Sequence, residues 1–502
     1  MDRAALLRAL GVESPDGAPL PGRVTAVTHD SRMAGPGVAF VAVPGFRRDG
    51  AEFVPEALAR GAELAVAERE VPGHPVAVVP DARAALAALA CAVYGDPSRE
   101  LAVYGVTGTN GKTTTSYALY SILAGAAGET ATGLMTTAET ICAGERVGAV
   151  RTTPEAVEVQ GLLARMRDSG ARRVVMEVSS HGVALKRVSG VRFAGALFTN
   201  LTRDHLDLHG TMEEYYRAKR ELFYRVVEGG PKLANADDEY GRRLAREVAG
   251  VETFGLAPDA DYRVENVSPA PGGTGFSLRR EGRGISLNTP LLGGYNVMNV
   301  AGAASLALGA GVAEDEVARA VAGMPQVPGR FERVTASREN AAPGFEVIVD
   351  YAHTDVGLAA ALGVVREVVA PGGRVICAFG AAGDRDGAKR PLMGRVAARL
   401  SDVAVVTTDD AYSEDPEKIA REVEAGMGGA GGAEYEVVLD RREAIRRALS
   451  LARPGDVVLV AGKGHERVQH LPEGDVPFHD ATVVGELLAE LAGGSRETEK
   501  AG

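Results

Sequence analysis

Short apolar runs alternate along the chain with stretches of helical periodicity. Residues 24–28, 38–43, 64–67 and 76–79 have the length and β-branched content of buried strands, and apolar positions recur at helical spacing over 82–93. These elements predict a small α/β domain. The cluster Gly95-Asp96-Pro97-Ser98 marks a turn, after which 101–106 reads as a strand that runs through a glycine-rich loop into a helix over 113–123. Strand-like runs at 174–178 and 196–199 alternate with helical segments, including one predicted over 212–224. Two prolines and two glycines near 323–330 predict a hinge. Beyond it, strands at 346–349, 374–379, 403–407 and 457–461 alternate with helices again. The pattern predicts doubly wound α/β units divided at 1–98, 99–327 and 328–492, with a disordered tail over 493–502.

The apolar strands run out into polar groups. Val106 leads into Thr107-Gly108-Thr109-Asn110-Gly111-Lys112, Val178 into Ser179-Ser180-His181, and Thr199 into Asn200, Asp204 and His205. Val349 leads into Asp350-Tyr351-Ala352-His353, Phe379 towards Asp384-Arg385-Asp386, and Ala461 into Gly462-Lys463-Gly464-His465-Glu466. Ligands of open α/β sheets bind beyond the carboxyl ends of strands, so chemistry is expected there, between the second and third domains.

The length of 502 residues fits roughly three domains. With 55 Lys and Arg against 67 Asp and Glu, the formal charge of −12 argues against nucleic acid and anionic membrane as partners. An anionic ligand would need local cations and backbone amides. The three cysteines, Cys91, Cys142 and Cys377, have neither metal-site nor disulfide-framework spacing, and a reducing cytoplasm is expected. No apolar stretch approaches the ~18 residues of a membrane span, and the apolar start is too short for a signal peptide.

Gly108-Thr109-Asn110-Gly111-Lys112-Thr113-Thr114 lies between a strand and a helix, where backbone N–H groups and the helix N-terminus can cradle phosphate. Lys112 would neutralise phosphate charge and the Thr113 hydroxyl could ligate Mg²⁺. Glu177 closes a buried strand, where a carboxylate needs either an ion-pair partner or a metal. Lys219 shares a helix face with Tyr215, and from spacing alone it reads as a lysine reaching past apolar neighbours to water. Asn296 and Asn299 could cap the helix that follows them, and Arg330 and Asp350 could be a solvated arginine and a strand-end aspartate.

Together, however, the GTNGKTT loop, Glu177, the segment 198–209, Tyr215-Tyr216-Arg217-Ala218-Lys219, Gly329-Arg330 and Asp350-Tyr351-Ala352-His353 resemble the Mur ligases over about residues 23–485. Within that family the chain is most similar to the synthetases that add the third residue of the peptidoglycan stem. The resemblance implies an N-terminal uridine-nucleotide domain, a central P-loop ATPase domain and a C-terminal Rossmann-like domain. It implies ATP held by residues 108–114 with Asn296, Asn299, Arg330 and Asp350, and two Mg²⁺ held by Thr113, Glu177, His205 and a carbamylated Lys219. Ser31, Thr152, Thr153, Ser179 and Arg187 would hold the UDP-linked peptide, and Arg390, Asp409, Asp410, Gly462 and Glu466 the incoming amino acid. Lys112, Glu177, His205 and Lys219 would carry the catalysis of a monomeric, ATP-dependent amide ligase acting on UDP-MurNAc-L-Ala-D-Glu.

The departures fall on the substrate side. Members that add diaminopimelate carry Asp-Asn-Pro-Arg where this chain has Asp409-Asp410-Ala411-Tyr412, so an arginine able to fork onto a carboxylate is missing. Leu185, Asp355 and Ala381-Ala382 also depart from the family pattern. A diamino acid is the expected acceptor, and a paralogue joining a different amino acid or carboxylate is the alternative. A folylpolyglutamate synthetase would lack the uridine domain, and a non-catalytic nucleotide binder would not be expected to keep Glu177, His205 and Lys219 together.

Overall fold

The computed structural model describes all residues except 1–5, 8–9, 13–22, 46–47, 150, 271, 335–343, 429–431 and 501–502. It falls into two compact units. The first comprises Met1–Val267, Gly275–Asn288 and Met298–Met324, and the second comprises Ser268–Thr274, Thr289–Val297 and Pro325–Gly502.

The first unit opens with a parallel four-stranded sheet, β1 (Ala26–Thr28), β2 (Val38–Val41), β3 (Leu64–Ala67) and β4 (Ala77–Val78), in that spatial order. The helix Ala82–Tyr94 packs on it. Its start is fixed by Asp81, whose side chain accepts from the Ala84 N–H at 2.8 Å, and its end by Gly95 in the left-handed region.

An eleven-stranded sheet follows: β5 (Ala102–Thr107), β6 (Thr132–Met135), β7 (Glu139–Cys142), β8 (Glu145–Gly148), β9 (Arg173–Glu177), β10 (Phe193–Phe198), β11 (Lys232–Asn235), β12 (Val251–Gly255), β13 (Tyr262–Ala270), β14 (Gly273–Arg280) and β15 (Arg283–Thr289). Its spatial order is β15-β14-β13-β12-β11-β10-β5-β9-β6-β7-β8. The central strands are parallel, and β5 lies between β10 and β9. The expected strands at 174–178 and 196–199 are therefore the two neighbours of the strand that feeds the glycine-rich loop.

One expected helix is shorter than its periodicity suggested. Met212–Arg220 is α-helical, but the chain then tightens into a 3₁₀ turn, Phe223–Arg225, that leaves both Leu222 and Phe223 fully buried. At the far end, the helix Asp480–Lys500 runs through most of the segment expected to be disordered, and residues 501–502 lie outside the described residues. Despite three glycines, that segment contains no proline to stop a helix, and Arg496, Glu497, Glu499 and Lys500 are helix formers.

In the second unit a six-stranded sheet has the order β16-β17-β21-β18-β19-β20. These strands are β16 (Glu332–Arg333), β17 (Glu346–Asp350), β18 (Val375–Phe379), β19 (Val403–Val406), β20 (Glu434–Val437) and β21 (Val457–Ala461); all pairs but β16–β17 are parallel. Alternation sorts the side chains to two faces. Ile348, Cys377, Phe379 and Leu459 enter one buried cluster, and Val347, Val349, Ile376 and Val458 enter another. A parallel sheet covered on both faces needs such uninterrupted apolar strands, and their polar groups gather at the carboxyl ends. A hairpin, β22 (Val468–Leu471) and β23 (Gly474–Pro477), follows the β21 loop.

Candidate active site

The loop after β5 is shaped by two glycines that no other residue could replace without displacement. Gly108 has φ +152°, with Thr199 Oγ1 1.9 Å from where a Cβ would sit, and Gly111 has φ +82°, with Asn299 Oδ1 at 2.2 Å from that position. The loop is tied to the end of β10. The Thr109 N–H donates to the Asn200 carbonyl at 2.9 Å, the Asn110 N–H to Asn200 Oδ1 at 2.9 Å, and the Thr199 hydroxyl to the Asn110 carbonyl at 2.6 Å. Lys112 Nζ donates to the Thr109 carbonyl at 2.9 Å, and Thr113 and Thr114 are buried in the first turn of the helix Lys112–Ala127.

Lys219 does not reach water. Its side chain is buried against the loop, with Nζ donating to the Gly108 carbonyl at 2.6 Å and lying 4.6 Å from the centre of the Tyr215 ring. Burial disfavours the ammonium, the Lys112 charge adds to this, and Asp204 opposes it only in part, so the pKa falls well below that of an ordinary lysine. The free-amine form, favoured by these surroundings, is a nucleophile. Tyr215 also bonds to the loop through Thr109 Oγ1 at 3.1 Å.

His205, in the left-handed region at φ 52°, lies beside Asp204, with Nε2 at 3.3 Å from Oδ2. Burial lowers its pKa to about 4; Asp204 opposes this, while His181, Lys112 and Lys219 reinforce it. Its ring is 4.7 Å from that of His181. On the other side of β5, Glu177 is fully buried, accepting from the Thr137 N–H at 3.3 Å and its hydroxyl at 3.0 Å. Two donors leave further lone pairs on its carboxylate, and carboxylate and hydroxyl oxygens such as those of Glu177 and Thr113 are the ligands a hard divalent cation takes.

Thr152, Thr153, Ser179 and Arg187 form one network beside Glu177. The Thr137 and Thr152 hydroxyls are hydrogen-bonded at 2.9 Å, Thr152 donating because the Thr137 proton goes to Glu177; Thr153 Oγ1 donates to the Glu177 carbonyl at 3.1 Å, the Ser179 N–H to Thr153 Oγ1 at 3.0 Å, and Arg187 to the Thr153 carbonyl at 3.0 Å. Arg187 also pairs with Glu155 at 2.6 Å. Ser31 is engaged elsewhere, donating to Glu56 at 3.2 Å. Asn299 lies with the loop, accepting from Thr115 at 3.3 Å, whereas Asn296 belongs to the second unit and donates to the Leu292 carbonyl at 2.8 Å.

In the second unit, Asp350 at the end of β17 accepts from the N–H groups of Phe331 and Ala352 at 2.7 and 2.8 Å. Burial raises its pKa against the pull of Arg330, whose guanidinium lies 4.5 Å from the centre of the Tyr351 ring. Arg390, expected to hold an acceptor carboxylate, is instead forked onto Glu414 and Glu422, both at 2.7 Å, and buried. Asp409, Asp410 and Glu466 gather within 4.8 Å of one another, and Lys463 pairs with Asp410 at 2.7 Å and Glu466 at 2.9 Å. Gly462, at φ +121°, passes so close that a Cβ would sit 2.3 Å from Asp409 Oδ2. Spacing did not single out Thr137, Glu155, Glu414, Glu422 or Lys463 individually. Only Lys463, inside the GKGHE segment, carried a sequence signal; the others become visible through contacts distant in sequence.

Comparison with known proteins identifies the family. Residues 23–94 match the profile described as Mur ligase family, catalytic domain, residues 106–307 the Mur ligase middle domain, and residues 329–464 the Mur ligase glutamate ligase domain. The UDP-N-acetylmuramoyl-L-alanyl-D-glutamate--2,6-diaminopimelate ligase of Solibacter usitatus (strain Ellin6076) is 43% identical over 93% of both chains. The protein of the same name from Gloeobacter violaceus (strain ATCC 29082 / PCC 7421) is 42% identical over 93% of this chain and 94% of its own. A solved structure of a ligase of that name superposes with a TM-score of 0.66 at 28% identity, covering 96% of this chain and 99% of the other. Matched from its first sheet to its last by these profiles and relatives, the chain belongs to the Mur ligase family.

Proposed function

We propose that the protein is an ATP-dependent ligase that joins an amino acid to UDP-MurNAc-L-Ala-D-Glu, making the third residue of a peptidoglycan stem. The observation that carries this is the burial of Lys219 against the Gly108–Lys112 loop in a chain similar along 93% of its length to ligases of that name. ATP transfers its γ-phosphoryl group to the peptide carboxylate, giving an acyl phosphate and ADP. The acceptor amine then attacks the acyl carbon, and the resulting tetrahedral intermediate loses a proton and expels phosphate to leave the amide.

The loop residues Gly108, Thr109, Asn110, Gly111, Lys112, Thr113 and Thr114, with Asn299, are read as the nucleotide cradle, where backbone N–H groups, Lys112 and the helix start neutralise phosphate charge. Asn296, Arg330 and Asp350, in the second unit, are read as further nucleotide-binding residues. Thr152, Thr153, Ser179, Arg187 and Ser31 hold the UDP-linked peptide, and Arg390, Asp409, Asp410, Gly462 and Glu466 line the acceptor side. The free amine of Lys219 would add CO₂ and release a proton, replacing an amine with a carbamate oxygen donor. With Thr113, Glu177 and His205 it would hold two Mg²⁺ ions, whose charge would screen phosphate and acyl oxygens. Catalysis otherwise consists of positioning and charge neutralisation. No described helix is long and apolar enough to cross a membrane, and we read the enzyme as a cytoplasmic monomer.

The deciding measurement is phosphate release with Mg²⁺-ATP and UDP-MurNAc-L-Ala-D-Glu across single amino acids, with the product mass confirmed. Release that depends on both the peptide and an amino acid is expected, and its absence with every acceptor removes the reading. A second expectation concerns Gly111→Ala. The added methyl would meet Asn299 Oδ1 and force a left-handed alanine, a strain of about 1–3 kcal/mol. kcat/KM for ATP should fall by about 10-fold or more, and the thermal midpoint by a few degrees; unchanged nucleotide kinetics would show that this turn does not shape the cradle.

A further inference from the structure

We propose that Thr137 is a positioning residue for Glu177, the carboxylate read above as a metal ligand, and that Tyr117 and Glu139 hold Thr137 in place from the helix that carries Thr113. This rests on the ligase reading and adds positioning residues to its metal side.

β6 runs beside β9 with Met135 opposite Met176, so the turn that follows β6 arrives at Glu177, the last residue of β9. There Thr137 takes both oxygens of the carboxylate, its N–H donating to Oε1 at 3.3 Å and its hydroxyl to Oε2 at 3.0 Å. The hydroxyl has a single proton, which goes to the charged oxygen, so the Thr152 hydroxyl at 2.9 Å is the donor to Thr137. A hydroxyl that donates on one side and accepts on the other is fixed in rotation, and it fixes the plane of the carboxylate with it. Glu177 is fully buried, and a buried metal ligand takes its orientation from such supporting bonds.

The turn is built for this residue. β6 and β7 pair antiparallel with Met135 opposite Thr140, and only Thr137 and Ala138 form the loop between Thr136 and Glu139. Two-residue hairpin loops usually place at least one central residue at positive φ, hence their glycine and asparagine; neither Thr137 nor Ala138 lies there. Side-chain bonds close the turn instead. Thr136 Oγ1 donates to the Glu139 carbonyl at 2.9 Å and accepts from the Glu139 N–H at 3.2 Å, and the Thr136 N–H donates to the same carbonyl at 3.0 Å. A glycine at 137 would make the turn easier to form and would bring no hydroxyl to Glu177.

Glu139 then ties the turn to the nucleotide side. Tyr117 lies one helical turn after Thr113 on the same face of the helix Lys112–Ala127 and is 1% exposed. Its O–H donates to Glu139 Oε1 at 2.6 Å, and Arg146 of β8 donates to the same oxygen at 2.5 Å. Burial raises the tyrosine pKa and the bond to Glu139 adds to this, so the phenol stays a donor. Thr113 and Glu177 come from segments more than sixty residues apart in sequence, and the bridge Tyr117–Glu139–Thr137 links the two.

The test is the ATP affinity of the full-length protein by titration calorimetry, once with Mn²⁺ and once in EDTA, for the parent, Thr137→Val, Thr137→Ser and Tyr117→Phe. Mn²⁺ should tighten binding to the parent; equal affinity with Mn²⁺ and in EDTA overturns the metal role of Glu177 and this proposal with it. Losing a bond that orients a metal ligand costs about 10- to 100-fold in metal affinity. Thr137→Val should therefore weaken binding with Mn²⁺ by about 10-fold or more and leave binding in EDTA unchanged, while Thr137→Ser stays within about 3-fold of the parent. Tyr117→Phe keeps the ring in the core, removes one oxygen, and should shift the Mn²⁺ value the same way by about 3-fold or more. Parent-like affinity in a folded Thr137→Val, an equal loss with Mn²⁺ and in EDTA, or serine no better than valine overturns the role of Thr137. If the valine variant does not fold, Tyr117→Phe decides, and an unchanged Mn²⁺ affinity there overturns the bridge. None of these readings needs turnover: a parent that binds Mn²⁺-ATP but releases no phosphate with any acceptor loses the ligase reading, while the positioning of Glu177 is still measured.

Discussion

Lys219→Ala is expected to lower ligase turnover by about 1000-fold or more while the protein remains folded. Removing one preorganised electrostatic group from a closed reaction centre costs about 100- to 1000-fold. Here the loss is larger, because the side chain both props the Gly108 carbonyl at 2.6 Å and, as a carbamate, supplies a metal ligand in our reading. Lys219→Arg should not restore activity, since a guanidinium stays charged and cannot add CO₂. Small carboxylates such as acetate or bicarbonate should partly restore the alanine variant by occupying the space of the carbamate. The measurement is turnover at saturating ATP with and without the added carboxylate, beside a thermal midpoint. Full activity in Lys219→Ala would remove the carbamate, and activity lost without rescue in a folded protein would leave only the propping role.

The largest stability effect is expected at Asp480. Its carboxylate meets the Arg441 guanidinium through two bonds at 2.7 and 2.8 Å, with neither side chain exposed at all. Burial alone would lower the arginine pKa, but Asp480 outweighs it with help from Asp409 and Asp410, and the net shift is upward. Asp480→Asn keeps the shape and removes the charge, leaving a guanidinium that cannot be neutralised, a loss of about 3–5 kcal/mol. The urea midpoint of the second unit's unfolding should fall accordingly. Replacing both residues, as in Arg441→Met with Asp480→Leu, should recover much of the loss, because the penalty lies in the orphaned charge. A single variant as stable as the parent would show that Asp409 and Asp410 can take over the arginine.

The parallel cores of both units were legible because their strands are unbroken apolar runs: 101–106 and 457–461 in sequence are β5 and β21 in space. β7, β8 and the strands β12–β15 were not. Glu139–Cys142 and Glu145–Gly148 are short, polar or exposed, and their pairing depends on the left-handed turn at Ala143-Gly144, which no apolar pattern announces. The candidate site divides in the same way. The Gly108–Lys112 loop has a local signature, because one stretch of backbone makes it. The commitment of Arg390 to Glu414 and Glu422, residues 24 and 32 positions away, could not be read from sequence, nor could the support of Glu177 by Thr137 from 40 positions away.

The bracing of the phosphate loop by β10 bears on how the chain can be engineered. Thr109 and Asn110 bond to Thr199, Asn200 and Thr202 through backbone and side chain alike, and Thr202 leads directly to Asp204 and His205. The two stretches are about ninety residues apart but form a single transplantable part. A loop grafted from another nucleotide-binding protein without its own 199–202 counterpart would arrive without its scaffold. Random libraries should likewise yield functional variants mainly when both stretches are diversified together.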